Sequence, residues 1–342
     1  FEQNTIYTGD YGAQPDDVPA GRDGDRWVWQ RLQRDPISML PVSASFVASL
    51  SAVTASRPAT LTLWLISYTA LPVTPDHQVD VSLNDTTVGR VEWDGVRAIT
   101  ATLTVPANVL HTGDNTLRLT LPQLNQGEAR IEGMWLDAFS LTYARSTEAA
   151  GSTVQFGGSA PRRAYTVALT SVGPYEAYDT SDPHRPVRLT GVRVEGQTVT
   201  VADPPAGGPR RYFVSAASAI QTADLRSAVT WTEPTGSDVL IIAPGNLVSS
   251  LAPLVALRKS QGLHTTVANL QAIYDLWSDG RPTPQAIRAF IAHAYATWSP
   301  RPSYVLLVGD GSYDPRRYLP SSPPTLIPPY LMKVDAWTSE GA

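Results

Sequence analysis

The sequence predicts a multidomain protein: an antiparallel β-sandwich, a second and smaller β-module, and a parallel three-layer α/β subdomain. Three observations predict this order. Residues 26–143 alternate apolar and polar side chains with a period of two, residues 146–236 hold shorter strands between Gly/Pro clusters, and at Asp238 continuous apolar runs begin. We therefore expect domains at 1–145, 146–236 and 237–342, and a length of 342 residues also favours two or three domains.

The first domain is predicted from segments in which apolar and polar residues alternate, so that each strand has one buried and one wet face. These segments are ATLTLWLISY (59–68), QVDVSL (78–83), ITATLTVP (99–106), NTLRLTLP (115–122) and MWLDAFSLTY (134–143). Such strands favour an antiparallel sandwich. Trp64 and Trp135 lie inside strands and are expected in the core, whereas Trp93 in VEWDG is expected as a ring at a loop edge.

The second domain is predicted from shorter strands. Their sequences are YTVALTS, VRLTGVRVEGQTVTV and RRYFVSA, and the clusters GGSAPRR and PPAGGPRR break them. Because Gly/Pro clusters mark loops, this stretch predicts a small β-module that follows the sandwich.

A parallel sheet is predicted in the third domain, where DVLIIAP, LHTTVANL and YVLLVGD are the strands. One helix is expected to begin near Asn246 and to end before Gly262, and another to begin with Thr283 as N-cap and Pro284 in the first turn. The second helix carries an apolar stripe of Ile287, Phe290, Ile291, Ala294, Tyr295 and Trp298. Strands and helices alternating at this spacing predict a right-handed parallel sheet with helices on both faces.

Composition excludes several classes of function. A net charge of -5 without a Lys/Arg cluster argues against a nucleic-acid partner. No apolar run reaches the roughly 18 residues of a transmembrane segment. Cysteine is absent, which removes disulfides, thiolate metal sites and a thiol nucleophile. The chain begins at Phe1 without a signal-peptide pattern and ends in a loop-like segment, so we expect both ends to be cut points.

The stretch SYVLLVGDGSYDPRRYLP (303–320) carries the candidate site. Ligands of open parallel sheets bind beyond the carboxyl ends of the strands, and Asp310 and Gly311 directly follow such an end. Asp310 either belongs to a site or caps the turn that follows, and the residues alone leave both interpretations open. The chain contains no dinucleotide-binding fingerprint, no P-loop lysine and no G-x-S-x-G nucleophile elbow.

No histidine is predicted to complete a catalytic group or a metal site. His264 begins its strand and Asp310 follows the end of a parallel one, so the two are expected at opposite edges of the sheet. His293 lies off the apolar stripe of its helix and is expected to face water. The other three are expected in turns of the β-modules, without the spacing of metal ligands: His77, His111 and His184.

Several co-linear motifs in residues 238–332 carry a family resemblance. After the strand DVLIIAP come R-x-x-Q-G-L, I-Y-D-x-W-x-x-G-x-x-x-P-x-A-I-R-x-F and Y-V-L-L-x-G-D. In order and spacing this segment resembles the opening part of the catalytic region of the gingipain family of caspase-fold cysteine peptidases. The preceding VSLNDTTVGRVEWDG and TGDNTLRL resemble the β-sandwich that precedes the peptidase region in large bacterial members.

The resemblance implies the N-terminal portion of a secreted, gingipain-like cysteine endopeptidase that acts on proteins, outside the cell or at its surface. In the family, the catalytic His and Cys lie in a second α/β subdomain after the matched segment. No residue of this chain therefore receives a catalytic role, and we expect these 342 residues alone to hydrolyse no peptide bond. Asp310, Gly311 and Asp314 are the candidates for the edge of the substrate site.

Partners and cofactors follow from the same resemblance. The expected partners are a protein or peptide substrate and the remainder of the peptidase polypeptide, without nucleic acid. No cofactor or metal site is predicted from the residues, and calcium is a candidate on the resemblance alone. A second interpretation is a non-catalytic surface protein whose sandwich binds a glycan or a partner protein.

Overall fold

The computed structural model describes residues 1–11, 20–34, 40–123, 131–146, 151–157, 163–204 and 210–330. These residues form two compact units, one up to residue 223 and the other from residue 224 onward. The first unit is built from antiparallel β-sheets, and the second contains a parallel sheet with helices. The predicted domain boundaries at 145/146 and 236/237 stay predictions.

Within the described part of the first unit, the sandwich consists of two four-stranded antiparallel sheets with the strand orders β3-β10-β5-β8 and β4-β9-β6-β7, and β1 pairs with β2 beside them. The strands are β1 (Ile6–Tyr7), β2 (Trp27–Val28), β3 (Gln30–Gln33), β4 (Val42–Leu50), β5 (Ala59–Ser67), β6 (His77–Leu83), β7 (Thr86–Trp93), β8 (Ala98–Val105), β9 (Gly113–Leu121) and β10 (Gly133–Thr142). The predicted antiparallel sandwich is confirmed.

The alternation in the sequence decides which side chains enter the sandwich core. Along β6, Val79, Val81 and Leu83 are buried and the residues between them are half-buried. Burial of each aliphatic side chain stabilises the fold by roughly 1.5–3 kcal/mol. Five of the ten described strands lie outside the predicted segments, and β4 and β7 are the two long ones among them. Small Ser and Ala residues weaken the pattern of β4, and β7 begins right after a two-residue turn at Asn84 and Asp85, whose φ angles of 48° and 61° are typical of a hairpin.

The burial of the sandwich tryptophans agrees only in part with the prediction from the sequence. Trp135 is fully buried, as expected for the core, whereas Trp64 is half-buried with the Arg22 guanidinium 5.1 Å from its ring. The prediction for Trp93 was wrong, because this residue ends β7 inside the sandwich, only 6 % exposed. Its ring stacks on His77 at 4.9 Å and its indole N–H donates to Ser67 Oγ at 3.0 Å. His77 accordingly begins β6 in the interior and is not a turn residue.

The rest of the first unit is a smaller β-module. Among its described residues two antiparallel sheets occur, with the orders β11-β17-β13-β14 and β12-β16-β15. Val167, Val199 and Val214 are fully buried in their shared core. The strands are β11 (Thr153–Gly157), β12 (Ala164–Ala168), β13 (Tyr175–Asp179), β14 (Val187–Arg188), β15 (Arg193–Glu195), β16 (Thr198–Ala202) and β17 (Arg211–Ala216).

The second unit is a parallel α/β layer structure. In chain order it contains β18 (Val239–Ala243), a 3-10 helix (Gly245–Leu251), α1 (Ala252–Ser260), β19 (Thr265–Asn269), α2 (Leu270–Trp277), α3 (Pro284–Thr297) and β20 (Tyr304–Leu307). The described strands have the order β19-β18-β20, and both pairs are parallel, with Val239 opposite Thr265 and Tyr304. The predicted parallel sheet is confirmed.

Helices cover both faces of this sheet. Leu240 and Ile242 point to the side of α2 and α3, while Val239 and Ile241 point to the side of the 3-10 helix and α1. The predicted cap of α3 is present, since Thr283 Oγ1 accepts the N–H of Ala286 at 3.3 Å.

Helix α2 was not predicted from the sequence. It starts directly at the end of β19, where Asn269 Oδ1 accepts the N–H of Gln271 at 2.9 Å and caps the helix without an intervening loop. Among the described helices, none is long and apolar enough to cross a membrane.

Strand β20 is exposed along its whole length, contrary to the burial predicted for it. It lies at one edge of the sheet, and none of the described elements pairs with its outer side. The exposed fractions of Val305, Leu306 and Leu307 are 42 %, 41 % and 44 %. A continuous apolar run predicts burial, but the burial itself depends on a neighbour that the described residues do not supply.

Candidate functional site

The candidate site lies where β20 ends, at the carboxyl edge of the parallel sheet. The carbonyl of Asp310 accepts the N–H groups of Leu326 and Ile327 at 2.9 and 3.1 Å, so the chain after the strand folds back onto the strand end. The Asp310 side chain is exposed, and its Oδ1 accepts the N–H of Gly311 at 2.9 Å. Asp310 thus braces its own turn through one oxygen and still presents a carboxylate to solvent. Both interpretations left open by the sequence are compatible with this geometry.

The two glycines around Asp310 are required by close backbone contacts. Gly309 has a φ of +134°, and a Cβ atom at this position would lie 2.7 Å from Cβ of Leu326. A Cβ atom on Gly311 would lie 3.0 Å from the carbonyl oxygen of Ile327. The Gly-Asp-Gly motif therefore lets the returning segment lie against the end of β20.

Asp314 is buried and holds the loop that follows. Its Oδ1 accepts the N–H of Tyr318 at 2.9 Å, and its Oδ2 accepts the N–H of Leu319 at 2.9 Å and the hydroxyl of Ser322 at 2.6 Å. Burial by itself raises the pKa of Asp314, but these hydrogen bonds and one from the Arg317 N–H outweigh it and lower the pKa. The geometry gives Asp314 a role in organising the loop, and a role toward substrate stays a prediction.

An apolar groove with a volume of about 710 Å³ runs between the open side of β20, helix α3 and the returning segment. Its lining consists of Pro284, Ile287, Arg288, Ile291, Ala292, Tyr295, Pro302, Val305, Leu307, Gly309, Gly311, Ile327, Pro328, Pro329 and Tyr330. The sequence pattern placed Tyr295 in the buried stripe of α3, but its side chain is 54 % exposed and lies on this groove. The reason is the same as for β20, because no described element covers this flank of α3.

The described residues bring no nucleophile and base together. Ser312 is buried, and its Oγ accepts the N–H of Asp314 at 3.1 Å. His264 precedes β19 at the opposite edge of the sheet, as predicted, where its N–H donates to Asp238 at 2.8 Å. His293 was expected to face water, yet its side chain is only one-third exposed and pairs with Glu233 at 2.7 Å. In the described part of the chain, no group of three His, Cys, Asp or Glu residues could hold a metal ion.

The open edge of β20 and the groove beside it were not found from the sequence. The available signal was the Pro-rich segment LIPPY (326–330), because proline cannot pair as a central strand and here lines the groove instead. The apolar run of β20 carried no information about which of its sides would be paired.

Comparison with known proteins finds one family model that matches most of the second unit. Residues 232–341 match the model of peptidase family C25. A search of curated proteins finds no match.

Solved structures extend the likeness to the whole chain. Dimeric latent PorU from Porphyromonas gingivalis superimposes with a TM-score of 0.67 over 99 % of this chain, at 16 % sequence identity. At this identity the likeness shows a shared fold. The chain spans 32 % of the length of that PorU chain.

Two carbohydrate-binding modules match at much lower similarity. The first is the module CBM36 in complex with calcium and xylotriose, with a TM-score of 0.19 and 19 % identity over 30 % of this chain and 72 % of that chain. The second is the CBM36-1 domain of a multidomain xylanase from the hindgut metagenome of Trinervitermes trinervoides, with a TM-score of 0.21 and 14 % identity over 34 % of this chain and 100 % of that chain. These scores are too low to support an argument about function.

Proposed function

Because residues 232–341 match the model of peptidase family C25, we propose that this chain is the N-terminal portion of a secreted, gingipain-like cysteine endopeptidase that acts on proteins. In this proposal the second unit is the part of the catalytic region that supports the site. The catalytic thiolate and imidazole come from polypeptide that follows the 342 residues.

The observation that carries the proposal is the open edge of β20. Parallel sheets are normally covered by helices on both faces. An exposed apolar strand at the edge of a sheet can pair with another chain and so promotes aggregation. Val305, Leu306 and Leu307 are exposed, and the apolar groove continues this surface onto α3. A further strand pairing with β20, together with an element in the groove, would bury this surface, and the catalytic part of the region would supply both.

The chemistry expected of the complete site is nucleophilic catalysis by a cysteine. A thiolate attacks the scissile carbonyl carbon, and a histidine first removes the thiol proton and later protonates the leaving amine. Asp310 and Gly311 lie at the carboxyl edge of the sheet, next to the open strand, so they would border the substrate on this side. Asp314 would keep the loop of this border in place through its buried hydrogen bonds.

Cleavage of a mixed peptide library under reducing conditions tests the proposal, with and without calcium. We expect no cleavage by the 342-residue chain and cleavage by a chain extended with the sequence encoded after Ala342, which a thiol alkylator should block. Cleavage by the short chain would contradict the proposal, and so would an extended chain that remains inactive in both conditions.

A substitution of Asp310 tests whether this residue borders the substrate or only stabilises its own turn. In the extended chain, Asp310→Asn should lower kcat/KM, whereas Asp279→Asn should leave it unchanged, because the Asp279 side chain is 94 % exposed and lies outside the site. The thermal midpoint of both variants should equal that of the parent. An unchanged kcat/KM in Asp310→Asn would remove Asp310 from the substrate edge.

The glycan-binding alternative depended on an exposed tryptophan ring at the edge of the sandwich, and Trp93 was the residue expected to provide it. Trp93 is buried between His77 and Ser67, so its face is not available to stack on a sugar. Among the described residues of the sandwich, no observation favours a second function over the peptidase.

A further inference from the structure

A pocket lined by aromatic rings lies on the second unit, on the flank of α3 opposite to the apolar groove. Its volume is about 400 Å³. The segment before β18 provides Trp231 and Glu233, and the helices α2 and α3 provide the other lining residues: Leu276, Trp277, Phe290 and His293. The Peptidase C25 match covers most of this pocket, but neither that match nor the site at β20 gives it a role.

The rings form a floor and two walls. Phe290 is fully buried and forms the floor. Trp231 stands edge-on to it with ring centroids 5.4 Å apart, and Trp277 does the same at 6.4 Å. Trp277 is 37 % exposed and the neighbouring Leu276 is 62 % exposed. The pocket therefore presents aromatic and aliphatic surface to solvent.

A fixed carboxylate lies beside these rings. Glu233 Oε1 accepts the indole N–H of Trp298 at 2.9 Å and pairs with His293 Nε2 at 2.7 Å. The hydrogen bond from Trp298 lowers the pKa of Glu233, burial opposes it, and the hydrogen bond from His293 adds to the lowering, so the group is ionised at neutral pH. No donor among the described residues reaches Oε2, and the side chain is 46 % exposed. Glu233 thus offers an oriented negative charge at the rim.

We propose that this pocket binds an organic cation on an apolar stem, that is, an alkylammonium or guanidinium group, with the stem against Trp231 and Trp277 and the cation at Glu233. Tryptophan is the aromatic side chain that attracts cations most strongly, and aliphatic stems of basic side chains pack on apolar surface while the head stays charged. A ligand without charge would use the rings but not the carboxylate. The cation belongs either to a lysine or arginine side chain of a protein or to a free amine, and both share this chemistry.

Titration of the 342-residue chain with matched probes, followed by two-dimensional NMR, tests the proposal. The indole N–H signal of Trp298 is the reporter, because this group donates to Glu233. The probes are N-acetyl-lysine amide, N-acetyl-arginine amide and butylammonium, with N-acetyl-norleucine amide and methyl glucoside as neutral controls. We expect the cations to shift the reporter and to bind about tenfold more tightly than norleucine amide. Amino-acid amides binding more tightly than butylammonium indicate a protein side chain as the source, and the reverse order indicates a free amine.

Two results of this titration would overturn the proposal. One is the absence of a Trp298 shift with all three cations. The other is equal or tighter binding of norleucine amide or methyl glucoside, which would make the pocket a neutral apolar or sugar site.

Variants locate the binding within the pocket. Glu233→Gln keeps the shape of the side chain and removes its charge, so it should weaken binding of the cations about tenfold and leave norleucine amide unaffected. Trp277→Ala should weaken binding of the cations and of norleucine amide alike. The controls are Glu195→Gln, an exposed carboxylate of the β-module, and Leu257→Ala, an exposed apolar residue of α1, and both should bind like the parent. Equal cation affinity in Glu233→Gln and the parent, with an unchanged spectrum elsewhere, would contradict the assignment even if Trp277→Ala misfolds.

Discussion

The hydroxyl of Ser322 lies 2.6 Å from Oδ2 of Asp314, and both side chains are buried. Together with the N–H groups of Tyr318 and Leu319, this contact ties the loop after β20 to a single carboxylate. A buried carboxylate is stable only when donors surround it, so the loop and the charge depend on each other.

The first prediction concerns this carboxylate. Asp314→Asn replaces an acceptor oxygen by an NH₂ group that faces a backbone N–H or the Ser322 hydroxyl, so it should destabilise the second unit by about 1–3 kcal/mol. Chemical denaturation midpoints measure the effect. The matched control is Asp279→Asn, at a side chain that is 94 % exposed, and it should stay within about 0.5 kcal/mol of the parent. Equal midpoints for Asp314→Asn and the parent would show that the carboxylate does not hold the loop.

The second prediction is the pH dependence of the same group. The pKa of Asp314 is lower in the folded than in the unfolded chain, so its contribution to stability is present above the unfolded value of about 3.9 and is lost as the pH falls through the folded value. The stability difference between the parent and Asp314→Asn should therefore be full near about pH 7 and should shrink below about pH 4. A difference that grows as the solution is acidified would reverse the sign of the assigned shift.

The third prediction tests which face of α3 is buried. Phe290 is fully buried, and its ring centroid lies 5.4 Å from that of Trp231 and 6.0 Å from that of Trp298. Phe290→Ala should therefore lower the free energy of unfolding by about 3–5 kcal/mol, because the substitution leaves a cavity. Tyr295→Ala on the same helix should cost less than about 1 kcal/mol, because that side chain is 54 % exposed. Comparable losses of stability in the two variants would contradict the placement of Tyr295 on the open groove.

The fourth prediction concerns the glycine at the end of β20. Gly309→Ala should destabilise the contact between the strand end and Leu326, since φ is +134° and the new Cβ would lie 2.7 Å from Cβ of Leu326. The matched control is Gly196→Ala, which also has a positive φ, +60°, but has no atom within 4 Å of the new Cβ. Amide exchange of Leu326 and Ile327 should accelerate at least about tenfold in Gly309→Ala only. Unchanged exchange at these two amides would remove the steric argument.

Local patterns in the sequence predicted those parts of the fold that depend on neighbouring residues along the chain. The alternation in β6, the buried run of β18 and the Thr283 cap of α3 are confirmed, because each is set by residues within one turn or one strand. The alternation predicted for β10 was wrong, because its residues from Met134 to Phe139 are all buried. The parallel pairing of β18 and β20 followed from the helices between them.

The remaining differences concern contacts between segments that are distant in sequence. Trp93 is buried because His77 and Ser67 lie on other strands, and no local pattern records that contact. Tyr295 and β20 are exposed because no described element covers the outer side of β20 and the flank of α3 beside it. At the candidate site, the position of Asp310 at the carboxyl edge was predictable, whereas the hydrogen bonds that bury Asp314 required the fold of the whole loop.

The central claim is that the parallel sheet of this chain is completed by a further strand beside β20. The N–H groups of Tyr304 and Val308 donate to carbonyls on the β18 side, Asp238 and Ile242. Because donors alternate along a parallel strand, the N–H groups of Val305 and Leu307 point away from β18. Amide hydrogen exchange of these two groups, measured in the 342-residue chain and in the chain extended past Ala342, tests the claim directly, with Leu306 as the internal control. The account predicts fast exchange at Val305 and Leu307 in the short chain, strong protection of both in the extended chain and protection of Leu306 in both chains, whereas equally fast exchange of Val305 and Leu307 in the extended chain would contradict it.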